Sequence, residues 1–165
     1  MEAELEKPWR DLSKYIEGRL REAVYEAELA LKFLEAGMYR NAAGKAFQSF
    51  KALLAALAAR HREQLVQRYP GAKATRGGKK VQYADWLIAV MPTGMMLEVA
   101  RDLSSAEGQD LLQYANVALN LHEFQYNGLD KSGVLSRYAR LSSVEEDIKA
   151  LASYVSKKAA ELRQY

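Results

Sequence analysis

The chain has 165 residues and a mass of 18.6 kDa, the size of a single domain over residues 1–165. Hydrophobic residues make up 49% and charged residues 27%, close to globular averages, which argues against a disordered chain. The absence of cysteine excludes disulfide scaffolds, thiolate zinc sites and cysteine nucleophiles, and fits a reducing compartment. No apolar run approaches the roughly 20 residues of a membrane span, and the acidic first residues are unlike a signal peptide. We therefore expect a cytoplasmic protein without membrane contact.

The first predicted helix begins near Pro8 and ends before Gly37. Proline suits the first turn of a helix, and glycine commonly follows the last turn. Between them, apolar residues recur every three or four positions, which is typical of an amphipathic helix. These residues are Leu12, Ile16, Leu20, Ala23, Ala27, Leu31 and Leu34. The short connection at Gly37 and Met38 predicts that the next helix runs antiparallel to the first.

The second predicted helix extends from Tyr39 to Tyr69, where Pro70 and Gly71 end it. Its apolar stripe consists of Ala43, Ala46, Phe50, Leu54, Leu57, His61 and Leu65. Residues 70–80 show no periodicity and predict a flexible basic loop. Its four cations are Lys73, Arg76, Lys79 and Lys80. These cations either contact phosphate groups or belong to a solvated connector, and the sequence leaves both readings open.

Three further helices are predicted in the second half of the chain. The first covers residues 81–103 and is broken by Pro-Thr-Gly at 92–94. The second opens at Ser104 with a capping-box pattern and ends at Gly128, and the third opens in the same way at Ser142. No segment shows the alternation of a strand. The sequence therefore predicts an all-α, up-and-down bundle of about five helices.

The net charge of +3 is unevenly distributed along the chain. Residues 37–80 carry ten Lys or Arg and one Glu, whereas residues 81–130 carry one Arg and seven Asp or Glu. One interpretation is a dipolar surface that steers an anionic partner or pairs with a second copy of the chain. The other is that the two blocks neutralise each other inside the fold.

Two motifs that usually mark catalytic or metal sites are incomplete. Residues 77–80, Gly-Gly-Lys-Lys, are similar to the end of a phosphate-binding loop, but Lys73 and Lys80 replace its glycine and its Ser or Thr. The segment from His122 to Tyr126 lacks the second histidine of a zinc protease, because Tyr126 occupies its position. We therefore expect neither a metal ion nor another cofactor.

Both histidines lie on predicted helices. His61 belongs to the apolar stripe of the second helix, which predicts a half-buried, hydrogen-bonded side chain. His122 lies beside a polar stripe that either lines a groove or faces water. The stripe consists of Asn116, Asn120, Glu123 and Asn127. Asn116, Asn120 and His122 therefore join the four loop cations as candidate binding residues.

Two segments resemble a known superfamily. Residues 21–59, with the turn Gly-Met-Tyr-Arg-Asn at 37–41, are similar to the first helix pair of HEPN-type proteins. Residues 115–129, with Leu-His-Glu-Phe-Gln-Tyr-Asn-Gly at 121–128, resemble the late helix of the archaeal PaREP subgroup of that superfamily. The resemblance covers the span from Tyr15 to Val155.

The resemblance implies a compact helical bundle that is often a homodimer. Some HEPN members partner a nucleotidyltransferase, and others are metal-independent ribonucleases in which four to six residues separate an Arg from a later His. Here the positions with that spacing before His122 are Ala115, Asn116 and Val117. Without a cation to stabilise the phosphate charge, we expect no catalysis. If the chain is an enzyme, His122 would act with Glu123 or Tyr126.

Three functions remain open at this point. The first is a non-catalytic HEPN-like module whose basic second helix and loop bind RNA, a nucleotide or an acidic protein. The second is a ribonuclease or nucleotide-handling enzyme that uses His122. The third is a scaffold or interaction protein whose charge blocks serve homo-oligomerisation.

Overall fold

A computed structural model describes residues 4–163, so the first three and last two residues of the predicted domain lie outside the described part. Within that part the chain forms seven α-helices and one short antiparallel pair of strands, which confirms the all-α prediction. The helices are α1 (Leu12–Glu35), α2 (Tyr39–Arg60), α3 (Arg62–Arg68), α4 (Tyr83–Val90), α5 (Met96–Glu107), α6 (Asp110–Asn127) and α7 (Leu141–Arg163). The strands are β1 (Ala72–Ala74) and β2 (Lys80–Gln82). None of the helices described is long and apolar enough to cross a membrane.

Helix α2 is the centre of the bundle. It packs against α1, α6 and α7, and most of its side chains are buried. The predicted turn between α1 and α2 is confirmed, because Gly37 adopts a φ of +75° that favours glycine. At Gly44, α2 approaches α6 so closely that a Cβ would lie 2.6 Å from Nε2 of Gln125. Small residues therefore bring the central helix close to its neighbours.

The second predicted helix is shorter than expected. It ends at Arg60, and α3 follows from Arg62 after a change of direction at His61, whose φ and ψ are −105° and 31°. No glycine or proline marks this break. Instead, tertiary contacts hold both sides of it, since His61 reaches Glu107 and Arg62 reaches Asp85. This break and the one at 92–94 raise the helix number above the predicted five.

The capping box predicted at Ser104 is wrong. Ser104 lies inside α5, where its hydroxyl donates a hydrogen bond of 2.6 Å to the carbonyl of Ala100. The helix continues to Glu107 and ends at Gly108, whose φ of +99° requires a glycine. The predicted end of α6 at Gly128 is correct.

The prediction of a flexible loop over residues 70–80 is wrong, because this segment contains β1 and the start of β2. Strands β1 and β2 pair with Lys73 opposite Val81, and the Tyr83 amide closes the neck by donating 2.9 Å to the carbonyl of Gly71. Each strand has three residues, which is too short for alternation to be visible in the sequence. We call residues 71–83 the hairpin.

The hairpin and the loop at residues 128–140 lie at opposite ends of the bundle. The hairpin follows the C-terminal end of α2 through α3, where Arg62 pairs with Asp85 of α4. At the N-terminal end of α2, Arg40 donates to the carbonyls of Gln125 and Tyr126, so the end of α6 and the following loop lie there. We call these the hairpin end and the loop end.

Candidate nucleic-acid interface

The tip of the hairpin is a tight turn held by its own backbone. The Thr75 amide donates 2.8 Å to the carbonyl of Lys79, and the Gly78 amide donates 2.9 Å to the carbonyl of Thr75. Gly78 has a φ of +80°, which favours glycine there. Of the two strands, only Val81 turns its side chain into the protein, with 8% exposed. The turn therefore projects Arg76 and Lys79 away from the bundle.

The four predicted loop cations are exposed, and none of them makes an ion pair with any residue the structure describes. They are Lys73, Arg76, Lys79 and Lys80. They are not equivalent. Arg76 and Lys79 lie at the turn, Lys80 pairs with Ala74 across the strands, and Lys73 lies opposite the buried Val81. Positive charge is thus concentrated on a short projecting segment.

Other cations of residues 37–80 are engaged elsewhere. Nε of Arg62 lies 2.7 Å from Oδ1 of Asp85, and Nε of Arg68 lies 3.7 Å from Oδ1 of Asp102. Both pairs join the basic block to the acidic block, so the two blocks neutralise each other in part. Lys45, on α2, lies 3.1 Å from Glu26. Part of the predicted basic surface of α2 remains, since Arg60 is exposed and makes no ion pair with a described residue, but the hairpin is the segment on which four such cations lie together.

An aromatic cluster lies directly beneath the hairpin. Nζ of Lys73 lies 4.4 Å from the centre of the Trp86 ring, a cation–π contact. The rings of Tyr83 and Trp86 stack with centroids 5.9 Å apart, and Tyr69 meets Tyr83 edge-on at 6.3 Å. The Tyr69 hydroxyl donates 2.5 Å to Asp102, and burial together with that carboxylate raises the pKa of Tyr69. The two near-parallel rings of Tyr83 and Trp86 therefore place aromatic surface next to the cations of the hairpin.

This aromatic cluster was not predicted from the sequence, although a signal existed. Tyr83 and Trp86 lie three residues apart directly after the basic segment, a spacing that places two side chains on one face of a helix. The contact between Lys73 and Trp86 depends on the strand register, which the sequence does not reveal.

The polar stripe, which was the other predicted site, lies on α6, and α6 packs against α2, α5 and α7. Asn116 is exposed, and its Nδ2 donates 3.1 Å to the carbonyl of Leu112 in its own helix. Asn120 is half-buried. Glu123 pairs at 3.2 Å with Arg137 of the following loop. The structure therefore does not bring Asn116 and Asn120 together with the hairpin cations.

His122 faces α2 instead of the polar stripe. Its ring stacks on Phe47 with centroids 4.1 Å apart and meets Tyr126 edge-on at 5.2 Å. Its Nδ1 is buried and has no hydrogen-bond partner among the described residues. Burial, and next the charge of Lys51, lower the pKa of His122, so the ring is neutral at physiological pH. Of the predicted catalytic group, His122 and Tyr126 meet, whereas Glu123 pairs elsewhere.

A polar cleft of about 690 Å³ lies near His122 between α1, α2 and α6. It is lined by Glu26, Phe33, Arg40, Asn41, Gly44, Lys45, Gln48, Gln125 and Tyr126. The sequence analysis did not identify it, because its lining comes from three helices. Among the described residues, no group of three His, Asp or Glu side chains is placed to hold a metal ion.

Comparison with known proteins identifies a family that this chain matches. The model of the archaeal PaREP1/PaREP8 family matches residues 18–153, which include the hairpin, α6 and the first half of α7. No curated protein and no solved structure matches the chain significantly.

Proposed function

The chain belongs to the archaeal PaREP1/PaREP8 family, and we propose that it is a non-catalytic, HEPN-like binding module that engages RNA through its hairpin. The observation that carries this proposal is the set of four exposed cations on one hairpin, none of which makes an ion pair with a described residue. A phosphate backbone binds such a site because each contact releases condensed counterions. The cytoplasm, where RNA is abundant, is the location that we propose with it.

The surroundings of His122 support binding without catalysis. No arginine occupies a position that a HEPN-type ribonuclease would use, and Glu123 is engaged with Arg137. The His122 ring is half-buried between Phe47 and Tyr126. The enzyme alternative is therefore tested by RNA cleavage, and cleavage that is lost in His122→Ala would replace our proposal.

The test of RNA binding is a variant in which Lys73, Arg76, Lys79 and Lys80 are all replaced by serine. Each phosphate neutralised on a single strand contributes a salt slope of about −0.7, so four contacts give a slope of about −3. The variant should bind RNA much more weakly at low salt and lose most of that slope. Its thermal stability should hardly change, because exposed charges contribute little to folding.

A matched control removes the same amount of charge elsewhere. Lys32, Arg101, Lys131 and Lys157 are also exposed, and none of them has an ion pair among the described residues. Replacement of these four by serine should leave most of the RNA affinity and its salt slope in place. Equal losses in both variants would mean that net charge alone attracts RNA, and the hairpin would then not be the site.

A second candidate function, self-association, is favoured by the apolar loop end. Large apolar side chains are exposed there at the turn of α1 and α2, the end of α6 and the following loop. They are Leu31, Met38, Tyr126, Leu129, Val134, Leu135 and Leu141. A two-fold dimer buries the same patch on both copies, and such a homodimer would serve as a scaffold. A nucleotidyltransferase-type protein is the competing occupant, and mixing with that partner would then convert a monomer to a heteromer.

A further inference from the structure

The aromatic cluster beneath the hairpin has one face that the protein core does not cover. The indole of Trp86 is partly exposed, and the group above its ring is the ammonium of Lys73 at 4.4 Å. Lys73 itself is an exposed side chain on a three-residue strand. A long, solvent-exposed side chain can move at little cost, whereas a core side chain cannot. The Trp86 face is therefore covered by a side chain that a ligand can displace.

We propose that Trp86, with Tyr83 stacked beside it, is a platform on which an unpaired base of single-stranded RNA stacks in place of the Lys73 ammonium. This inference rests on the proposed RNA-binding function and names its substrate class. The displaced Lys73 then pairs with a phosphate next to the stacked base. A cation that rests on an aromatic ring thus exchanges one favourable contact for another, and the site gains the base contact in addition.

The platform is held in position before RNA binds. Tyr83 follows β2 directly, and its amide closes the hairpin neck by a 2.9 Å hydrogen bond to Gly71. Tyr69 supports Tyr83 edge-on and is itself fixed by the 2.5 Å hydrogen bond to Asp102. The same short element therefore carries the cations and adjoins the rings, so that a strand whose phosphates lie along the turn passes over Trp86.

The pairing of aromatic rings with a basic turn selects single strands. Bases in a duplex are already stacked on their neighbours, and their faces are not accessible without unpairing. An unpaired base offers its face to any aromatic ring, whatever the base. The site should thus prefer single strands over duplexes and show little sequence preference.

The experiment uses the intrinsic fluorescence of Trp86. The chain has two tryptophans, so in Trp9→Phe, excited at wavelengths that tyrosine does not absorb, Trp86 is the source of the emission. A short oligouridylate should quench its emission as it binds. An abasic oligomer of the same length, which keeps the phosphates but has no bases, should bind more weakly and leave the emission unchanged. The oligouridylate annealed to its complement should behave like the abasic oligomer.

A second measurement separates the platform from the cations. Trp86→Leu should weaken oligouridylate binding by at least about fivefold, while binding of the abasic oligomer stays the same. Trp86→Phe, which keeps an aromatic face, should recover part of the loss. Tyr25→Leu is the matched control, because Tyr25 is 59% exposed on α1, and it should change neither affinity.

The outcomes distinguish the two proposals. Salt-sensitive binding of oligouridylate without quenching of Trp86 would overturn the platform and leave the RNA-binding hairpin intact. If none of the three probes binds, both the platform and the RNA-binding hairpin are overturned. If Trp86→Leu does not fold, the quenching experiment still decides, because it keeps Trp86 in place.

Discussion

Glu107 lies at the junction of three helices and is held by the side chains of His61 and Lys158. Its Oε1 lies 2.8 Å from Nε2 of His61 at the end of α2, and its Oε2 lies 2.9 Å from Nζ of Lys158 on α7. Burial opposes ionisation of this carboxyl group. The hydrogen bonds from His61 and Lys158 nevertheless hold the pKa of Glu107 below its usual value of 4.5. The sequence analysis predicted a hydrogen-bonded, half-buried His61, and this is confirmed.

The lowered pKa of Glu107 predicts a specific loss of stability in acid. A carboxyl group whose pKa is lower in the folded state stabilises the fold above its unfolded pKa, and this contribution disappears as the pH falls through the folded value. The free energy of unfolding should therefore decrease as the pH falls below 4.5. In Glu107→Gln this part of the decrease should be absent, at the cost of lower stability near neutral pH.

Urea denaturation between acid and neutral pH measures this effect. Glu145→Gln is the control, since Glu145 forms an exposed pair with Lys149 on the surface of α7. Exposed pairs contribute little to stability, so that variant should keep the wild-type pH dependence. Identical pH profiles for Glu107→Gln and the wild-type protein would contradict the assigned role of Glu107.

Among the elements, α2 shows what periodicity can and cannot predict. The stripe predicted from the sequence includes Ala43, Phe50 and Leu54, and all three are fully buried. Leu53 and Ala56, which lie off that stripe, are equally buried. Periodicity identifies one apolar face, but α1, α6 and α7 cover α2 from several sides. The packing of the whole chain decides which helices surround an alanine-rich segment. Periodicity in a single sequence does not reveal which helices these are.

Other elements were not predicted from the sequence for the same kind of physical reason. The break at His61 is stabilised by contacts with residues far along the chain, and Ser104 has a capping pattern but bonds within its helix. The hairpin is built from strands of three residues, which local patterns do not reveal. For the candidate site, the four cations were predicted, because an excess of Lys and Arg over Asp and Glu can be counted in the sequence. The position of Trp86 was not, because it depends on tertiary contacts.

The central position of α2 predicts the effect of a charge in its core. Leu54 has no exposed surface, so Leu54→Asp would bury an unpaired carboxylate. The cost should exceed about 4 kcal/mol and unfold the protein at room temperature. Circular dichroism should then show the loss of most helix signal. Gln48→Asp, an exposed position on the same helix, should remain folded, and a folded Leu54→Asp would mean that this face of α2 is not the core.

Over the whole molecule, the hairpin and the exposed apolar side chains lie at opposite ends. The hairpin carries four cations without an ion pair among the described residues, and the loop end carries exposed apolar side chains, of which Val134 is 80% and Leu135 62% exposed. The loop is held in shape by Asp130, whose carboxylate accepts hydrogen bonds from Ser132 and from the Leu135 amide. The Ser132 hydroxyl is the main cause that lowers the pKa of Asp130 to about 2. The exposed Val134 and Leu135 therefore lie on a turn whose conformation is held by hydrogen bonds.

The separation of the two ends predicts that their functions can be removed one at a time. Helix α2, with 22 residues, spans about 33 Å between them. This exceeds the Debye length of about 8 Å at physiological salt, and substitutions that far apart act independently. If the loop end joins two copies as proposed, Val134→Ser with Leu135→Ser should lower the mass measured by light scattering from dimer to monomer and leave the affinity for each RNA site unchanged. Serine in place of the four hairpin cations should do the opposite, with weak RNA binding and an unchanged mass. If the hairpin variant changes the mass instead, its cations pair with the acidic block at residues 81–130 of a second copy, and the assembly is held together by charge at the hairpin and not by the apolar loop end.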